Sequence, residues 1–328
     1  MSRIYLISDN LTRQSLLLED NCTIKEPSFF MNKKDNAILF CESAWQGYKN
    51  KWKFKIAAYP DYPKRNNKKL LKLLDRCKNR GIPTVFWDKE GCVHFERFKD
   101  SAKHFDHIFT VDECCIEKYR AIVPKNTTVH LAMFPIQSKI HYFNGFNFKY
   151  LSANFVGSYG THIHPQRRQW QEMLFQAALK AQLPVTIFDR NSNRKNQVYR
   201  YPEQFHLNIQ PTLAYQDTAQ VYRDYLISLN VNTAENSATM FSRRVVEVLA
   251  CGGLLVSTPS RAVERLFADY CYIVRNEDEA VELFNRLKYG ATPQDLERAK
   301  AGSDFVLQNF SWNKFLQRIE EVVWHKSC

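Results

Sequence analysis

TMFSRRVVEVLACGGLLVS, residues 239–257, opens like a helix aimed at an anion and closes like a buried strand. Thr239 and Ser242 are both candidate N-caps, since a side-chain oxygen at that position accepts from the N–H groups that begin a helix. A helix starting near 240–242 turns those N–H groups, and the positive end of its dipole, toward whatever lies beyond the preceding strand. Arg243 and Arg244 add bidentate donors at the same end, a set suited to phosphate oxygens. Glu247 follows about one turn further in, where an acceptor-only carboxylate can take hydrogen bonds from ribose hydroxyls. Cys251-Gly252-Gly253 then stops the helix and LLVS returns as an apolar strand. The same spacing would also suit an ordinary i,i+4 surface pair, but such a pair does not explain a cap-rich entry placed directly after a strand.

Working outward, short aliphatic runs alternate with amphipathic ones. Candidate strands at 4–8, 37–41, 55–58, 83–87, 107–110 and 129–131 accompany candidate helices at 67–79 and 93–103. After the aromatic, turn-rich HYFNGFNFKY (141–150) a second series begins. Its strands are at 153–156, 185–188, 226–230, 254–257 and 272–274, and its helices near 166–181, 219–225, 242–250, 261–267 and 277–288. This alternation predicts an α/β chain with parallel sheets covered by helices on both faces. At 328 residues it has about twice the usual domain length, so two domains are expected, 1–145 and 146–328, with a last amphipathic helix near 312–325.

Ligands of open α/β sheets sit beyond the carboxyl ends of the strands. The polar residues so placed are Asp9, Asn10, Glu42, Asp88, Glu90, Asp112, Gly157, Ser158, Asp189 and Asn232. Residues of these types also serve there as turn formers and helix caps.

The net charge of +12 is uneven: residues 1–150 hold 26 Lys and Arg against 16 Asp and Glu, and the remainder 20 against 18. Residues 49–80 alone carry twelve basic side chains against Asp61 and Asp75, an excess that implies an anionic partner or else a solvated basic face. Within this segment, NNKKLLKLLDRCK (66–78) reads as an amphipathic helix, its leucines packed on the parent sheet or laid on an anionic membrane. An apolar fraction of 45% excludes a disordered polymer, and no apolar run approaches the about 20 residues of a spanning helix. The opening MSRIYLISDN lacks a signal-peptide core, so the expected location is cytoplasmic, at most peripheral to the inner face of the membrane. Nine cysteines without a C-x-x-C pair read as reduced thiols. No D-x-D is present, and His104-Phe105-Asp106-His107 reads as a cap or packed histidine, so no metal is expected.

The segment FSRRVVEVLACGGLLVSTPSRAVERLF (241–267) resembles the donor site of GT-B glycosyltransferases, in the CgeB-like branch of the group-1 transferases. NFVGSYGTHIHPQRRQW, YRYPEQF, YRDYLISLNVNT, ILFCESAWQG and GIPTVFWDKEGCVHFERFKDSAKHFDHIFTVD are similar to the same branch, so the resemblance covers most of 35–320. It implies two Rossmann-like doubly wound domains facing a central cleft, the acceptor domain first and the nucleotide-sugar domain second, with the last helix crossing back. By the same resemblance Glu247 binds the nucleotide ribose, and Arg243 with Arg244 the diphosphate. Gly157 and Ser158 admit the phosphate, Arg167 or Arg168 supports it, and Asn232, Ser237 and Thr239 line the same site. The donor implied is a UDP-sugar, with no cofactor or metal. Thr239 stands where many retaining members carry an acid eight positions before this glutamate, and Glu235 is out of register, so donor sugar and stereochemistry do not carry over.

An inverting reaction would draw its general base from the first domain, where Asp88 and Glu90 in FWDKEG come first and Glu42 in ESAW second. Trp87 and Trp45 beside them could stack on a sugar, and Lys68, Lys69 and Lys72 suit an acidic glycan or a lipid-phosphate-linked acceptor, as in surface polysaccharide biosynthesis. Two rival readings use the same residues: glycosylation of modified bases in DNA, as some phage enzymes perform, and a non-catalytic module binding nucleotide sugars or nucleic acid.

Overall fold

The computed structural model describes residues 3–28, 30–32 and 36–324. Contacts divide the chain into two units, Met1–Gln137 with Phe310–Cys328, and Ser138–Asn309.

The first unit runs β1 (Arg3–Ile7), α1 (Asn10–Leu16), β2 (Thr23–Lys25), β3 (Ala37–Glu42), α2 (Lys68–Asn79), β4 (Thr84–Asp88), α3 (Gly91–Ala102), β5 (His107–Thr110), α4 (Cys114–Arg120) and β6 (Thr128–Leu131). Its strands lie in the order β2-β1-β3-β4-β5-β6, all parallel. Every residue of β3 and β4 is buried, as a parallel sheet covered on both faces requires. The order reverses between β1 and β3, so Ile7 and Glu42 end on either side of a topological switch point.

The second unit runs β7 (Tyr150–Gly157), α5 (Pro165–Lys180), β8 (Val185–Asp189), β9 (Asn208–Gln210), α6 (Thr218–Asp224), β10 (Tyr225–Asn230), α7 (Arg243–Ala250), β11 (Leu254–Ser257), α8 (Arg261–Leu266), β12 (Tyr272–Ile273), α9 (Glu277–Leu287) and α10 (Pro293–Asn309). Its parallel order, β12-β11-β10-β7-β8-β9, reverses between β7 and β10. The last helix, α11 (Trp312–Trp324), belongs to the first unit. Trp312 N donates to Ile136 O at 3.1 Å, and Trp312, Phe315, Leu316 and Ile319 are buried.

Three features differ from the sequence reading. Residues 55–58 form turns instead of a strand, because left-handed backbone at Lys49, Asn50 and Phe54 keeps reversing the chain before Ala58 N reaches Arg97 O. The edge strands β2 and β9 are three residues each, too short to show a pattern. The division between units falls at 137/138, ahead of 145/146, because the aromatic patch packs into the second unit, with His141 against Tyr215 and Tyr222. Among the described residues no helix is long and apolar enough to cross a membrane.

Candidate functional site

At the switch point of the second unit, β7 ends on Gly157 and β10 on Asn230. Arg244, from the first turn of α7, ties the two together. Its Nε and Nη2 donate to Val156 O at 3.0 and 2.7 Å, Nη1 donates to Asn230 Oδ1 at 2.9 Å, and its guanidinium lies 4.3 Å from the centre of the Phe155 ring. These bonds use Arg244 to build the site, which corrects the expectation that it serves as a second diphosphate ligand. A Cβ at residue 157 would stand 2.3 Å from the Phe155 ring, so any side chain there would have to displace that buried ring.

The loop into α7 is held by side chains expected to face the donor. Asn232 Oδ1 accepts from Ser242 N at 2.9 Å, while the Ser242 side chain makes no cap bond. Ser237 Oγ accepts from Met240 N at 2.9 Å and from Thr239 N at 3.3 Å, and Thr239 is buried. Asn232 and Ser237 therefore shape the entrance to α7: Asn232 holds the N–H of Ser242 itself, and the side-chain cap expected of Ser242 is not formed. Arg168 likewise turns away to Thr161 O and to Glu172, which leaves Arg167 as the inward member of the pair. Arg167 Nη2 donates to Ser158 O at 3.1 Å.

Around this frame positive charge gathers. Burial, with the like charges of Arg244 and Arg190 beside it, brings the Arg167 guanidinium down to about 10. Arg190, whose N–H donates to Gly157 O at 2.9 Å, is the member that sequence reasoning missed. It directly follows Asp189, which ends β8 and does stand among the strand-end residues that the sequence singles out. Glu247 faces this group from α7 and is 6% exposed, with Oε1 buried and without a hydrogen-bond partner. Burial pushes its carboxyl up to about 7 against the opposing pull of Arg243, Arg190, Arg244 and the Tyr215 hydroxyl. Arg243, Arg190 and Arg244 about one carboxyl leave an excess of positive charge, and Oε1, buried and without a hydrogen bond within the chain, lies beside it.

In the first unit the charged groups at the switch point are engaged with one another. Glu42, fully buried, accepts from Asp9 N at 2.6 Å, Lys89 Nζ at 2.8 Å and Thr12 Oγ1 at 2.5 Å, and Lys89 also reaches Asp9 at 3.2 Å. Asp88 is also fully buried. Its Oδ1 accepts from Glu90 N and Gly91 N at the start of α3, its Oδ2 from Thr110 Oγ1, and burial pushes its carboxyl up to about 6. Neither carboxylate is open to a substrate, so both leave the set of candidate bases. Trp87 leaves the acceptor set too, being core: it is fully buried against Phe40, Phe134, Trp312 and Phe315.

Glu90 keeps its access. Its side chain is 21% exposed and 3.8 Å from His94 Nε2, and Trp45 stands edge-on to the His94 ring at 5.1 Å. Burial raises the Glu90 carboxyl, the Lys89 charge and the Trp45 indole opposing it. Lys68, Lys69 and Lys72 are exposed on α2, whose Leu70, Leu73 and Leu74 pack inward. Among the described residues, Cys92, Asp112 and Cys115 bring three possible metal-ligand atoms within 4.8 Å of one another. Both Asp112 oxygens there already accept backbone N–H groups, from Cys92 and Cys114.

Two parallel six-stranded sheets with these strand orders make the fold that of the GT-B glycosyltransferases, as comparison with solved structures shows. HepE from Anabaena, solved with UDP and glucose, superimposes with a TM-score of 0.55 at 14% identity, over 79% of this chain and 76% of that one. A glycosyltransferase from Rickettsia africae gives 0.55 at 13% identity over 89% and 92%. Sucrose-phosphate synthase from Thermosynechococcus elongatus gives 0.52 at 11% over 87% and 88%. Residues 167–321 match the model of a family described as glycosyl transferase-like, a span that contains Arg167, Arg190, Arg243, Arg244 and Glu247. No curated protein matches the sequence.

Proposed function

We propose that this chain is a glycosyltransferase that moves a sugar from a UDP-sugar to a hydroxyl of an acidic or phosphate-bearing acceptor, in the manner of the CgeB-like branch and of surface polysaccharide assembly. The observation that carries the reading is the partnerless Oε1 of Glu247, buried beside guanidinium groups at the β7/β10 switch point. A ribose hydroxyl supplies the missing donor. Arg243, Arg190 and Arg167 face the diphosphate, and Arg244 fixes the backbone that brings them together. As the sugar–phosphate bond breaks, negative charge grows on the departing UDP, and positive groups already in place stabilise it without reorganising. These side chains supply that charge, so the proposal assigns no metal to the step. On the first unit, Glu90 takes the acceptor's proton if the course is inverting, with Trp45 beside it as the sugar-facing ring.

UDP titration by calorimetry tests this. Arg243→Ala is expected to weaken UDP binding at least tenfold and to suppress release of sugar from UDP-sugars, with the melting temperature retained. Wild-type affinity in that variant would refute the donor site.

A further inference from the structure

The first unit holds a second concavity, of about 310 Å³, between α2 and the segments around Glu26 and Lys51. Four cations line it, Lys51, Lys69, Lys72 and Arg76, with Trp52 and Leu73 as its apolar walls. Among the described residues Glu26 is the one carboxylate in the lining, and it already holds Arg13 at 2.7 Å and Lys51 at 3.4 Å. Lys69 Nζ sits 4.7 Å from the Trp52 ring centre. Burial, and then the like charges of Lys55 and Lys51, lower its ammonium pKa, since both disfavour the charged form. Lys69, Lys72 and Arg76 recur at helical spacing along α2 beside Leu73, while Leu70 and Leu74 are buried.

Size and charge together select the ligand. The volume is about ten times the roughly 30 Å³ share of a liquid water, more than a lone phosphate fills and near the lower end of small-molecule sites. Lys51, Lys69 and Lys72 against Glu26 leave about two positive charges, which the two negative charges of a phosphate monoester offset near neutral pH. The aromatic and aliphatic walls suit the carbon skeleton of a sugar more than an ion alone. We propose that this pocket binds a phosphate monoester carried on a sugar-sized body, independently of the nucleotide site. Such a group could reside on a soluble sugar phosphate or on a lipid headgroup, and the chemistry recognised is the same. The pocket's occupation does not depend on whether the chain transfers sugars.

The test is calorimetric titration of the full chain with glucose 6-phosphate, with glucose and inorganic phosphate as separate arms, and sedimentation with phosphatidylcholine vesicles containing phosphatidylinositol 4-phosphate, whose headgroup carries a phosphate monoester. Glucose 6-phosphate is expected to bind at least tenfold more tightly than either fragment. Lys69→Gln combined with Lys72→Gln should weaken it at least tenfold. The charge-matched control Lys78→Gln with Lys125→Gln should not, and neither should saturating UDP. Both lysine pairs are exposed, and circular dichroism confirms that each variant folds. Equal affinity for inorganic phosphate, indifference to the Lys69 and Lys72 substitutions, or displacement by UDP would overturn the proposal. So would vesicle binding lost in that variant without any binding of the soluble ester, which would make the face a membrane contact instead.

Discussion

Replacing Glu247 with Gln keeps the side chain's shape and removes its charge. In the ligand-free fold burial raises this carboxyl from its ordinary 4.5 to about 7. At about 1.4 kcal/mol for each tenfold change in acid strength, that rise is worth about 3 kcal/mol. Because the folded value lies above the unfolded one, the stability contributed is fully present below about pH 4.5 and is lost as pH rises through about 7. The Gln variant does not titrate there. Urea unfolding of both proteins at pH 5 and pH 8 should therefore show the variant gaining most of that 3 kcal/mol on the wild type at the higher pH. UDP binding should move the other way, since a charge-assisted acceptor worth about 1.5–3 kcal/mol is lost, roughly ten- to a hundredfold in affinity. A stability difference that does not change with pH would refute the burial of this carboxyl, and unchanged UDP affinity would refute its contact with the ribose.

Gly157→Ala would press a Cβ to 2.3 Å from the Phe155 ring and 3.0 Å from Arg244 Nη2. We expect a loss of about 1–3 kcal/mol in thermal unfolding together with weaker UDP binding, and an unaltered melting curve would show that the turn has slack. Glu90→Gln should abolish transfer while UDP still binds, if the course is inverting. Asp88→Asn should instead lower stability, through the start of α3, and keep its transfer rate once folded. The reverse pattern would restore Asp88 as the base.

How much was legible follows from the range of each interaction. Alternating aliphatic and amphipathic runs made most strands and helices readable, because helix and strand periodicities act over a few residues. So was the approach to α7: Arg243 and Glu247 share a helix, and their spacing alone sets their relation. Arg190 was missed although its neighbour Asp189 is marked as a strand end; only the pairing of β8 with β7 brings its N–H to Gly157 O. Arg244 carries the same chemistry as Arg243, yet its place in the helical turn directs it to Val156 and Asn230, carbonyl and amide partners distant in sequence.

The same division explains the first unit. FWDKEG shows carboxylates and a tryptophan at a strand end, but which of them meets solvent is settled by what packs over β4. Trp312 and Phe315 arrive from the far end of the chain to bury Trp87, and the first N–H groups of α3 and the Thr110 hydroxyl engage Asp88. Glu90, two residues on, escapes both. By itself the sequence determined the alternating α/β elements and the charge-bearing helix, since both depend on local periodicity. Tertiary structure decided which charged side chains are consumed as scaffold and which stay available, because that depends also on partners distant in sequence, such as Val156 for Arg244 and Thr110 for Asp88.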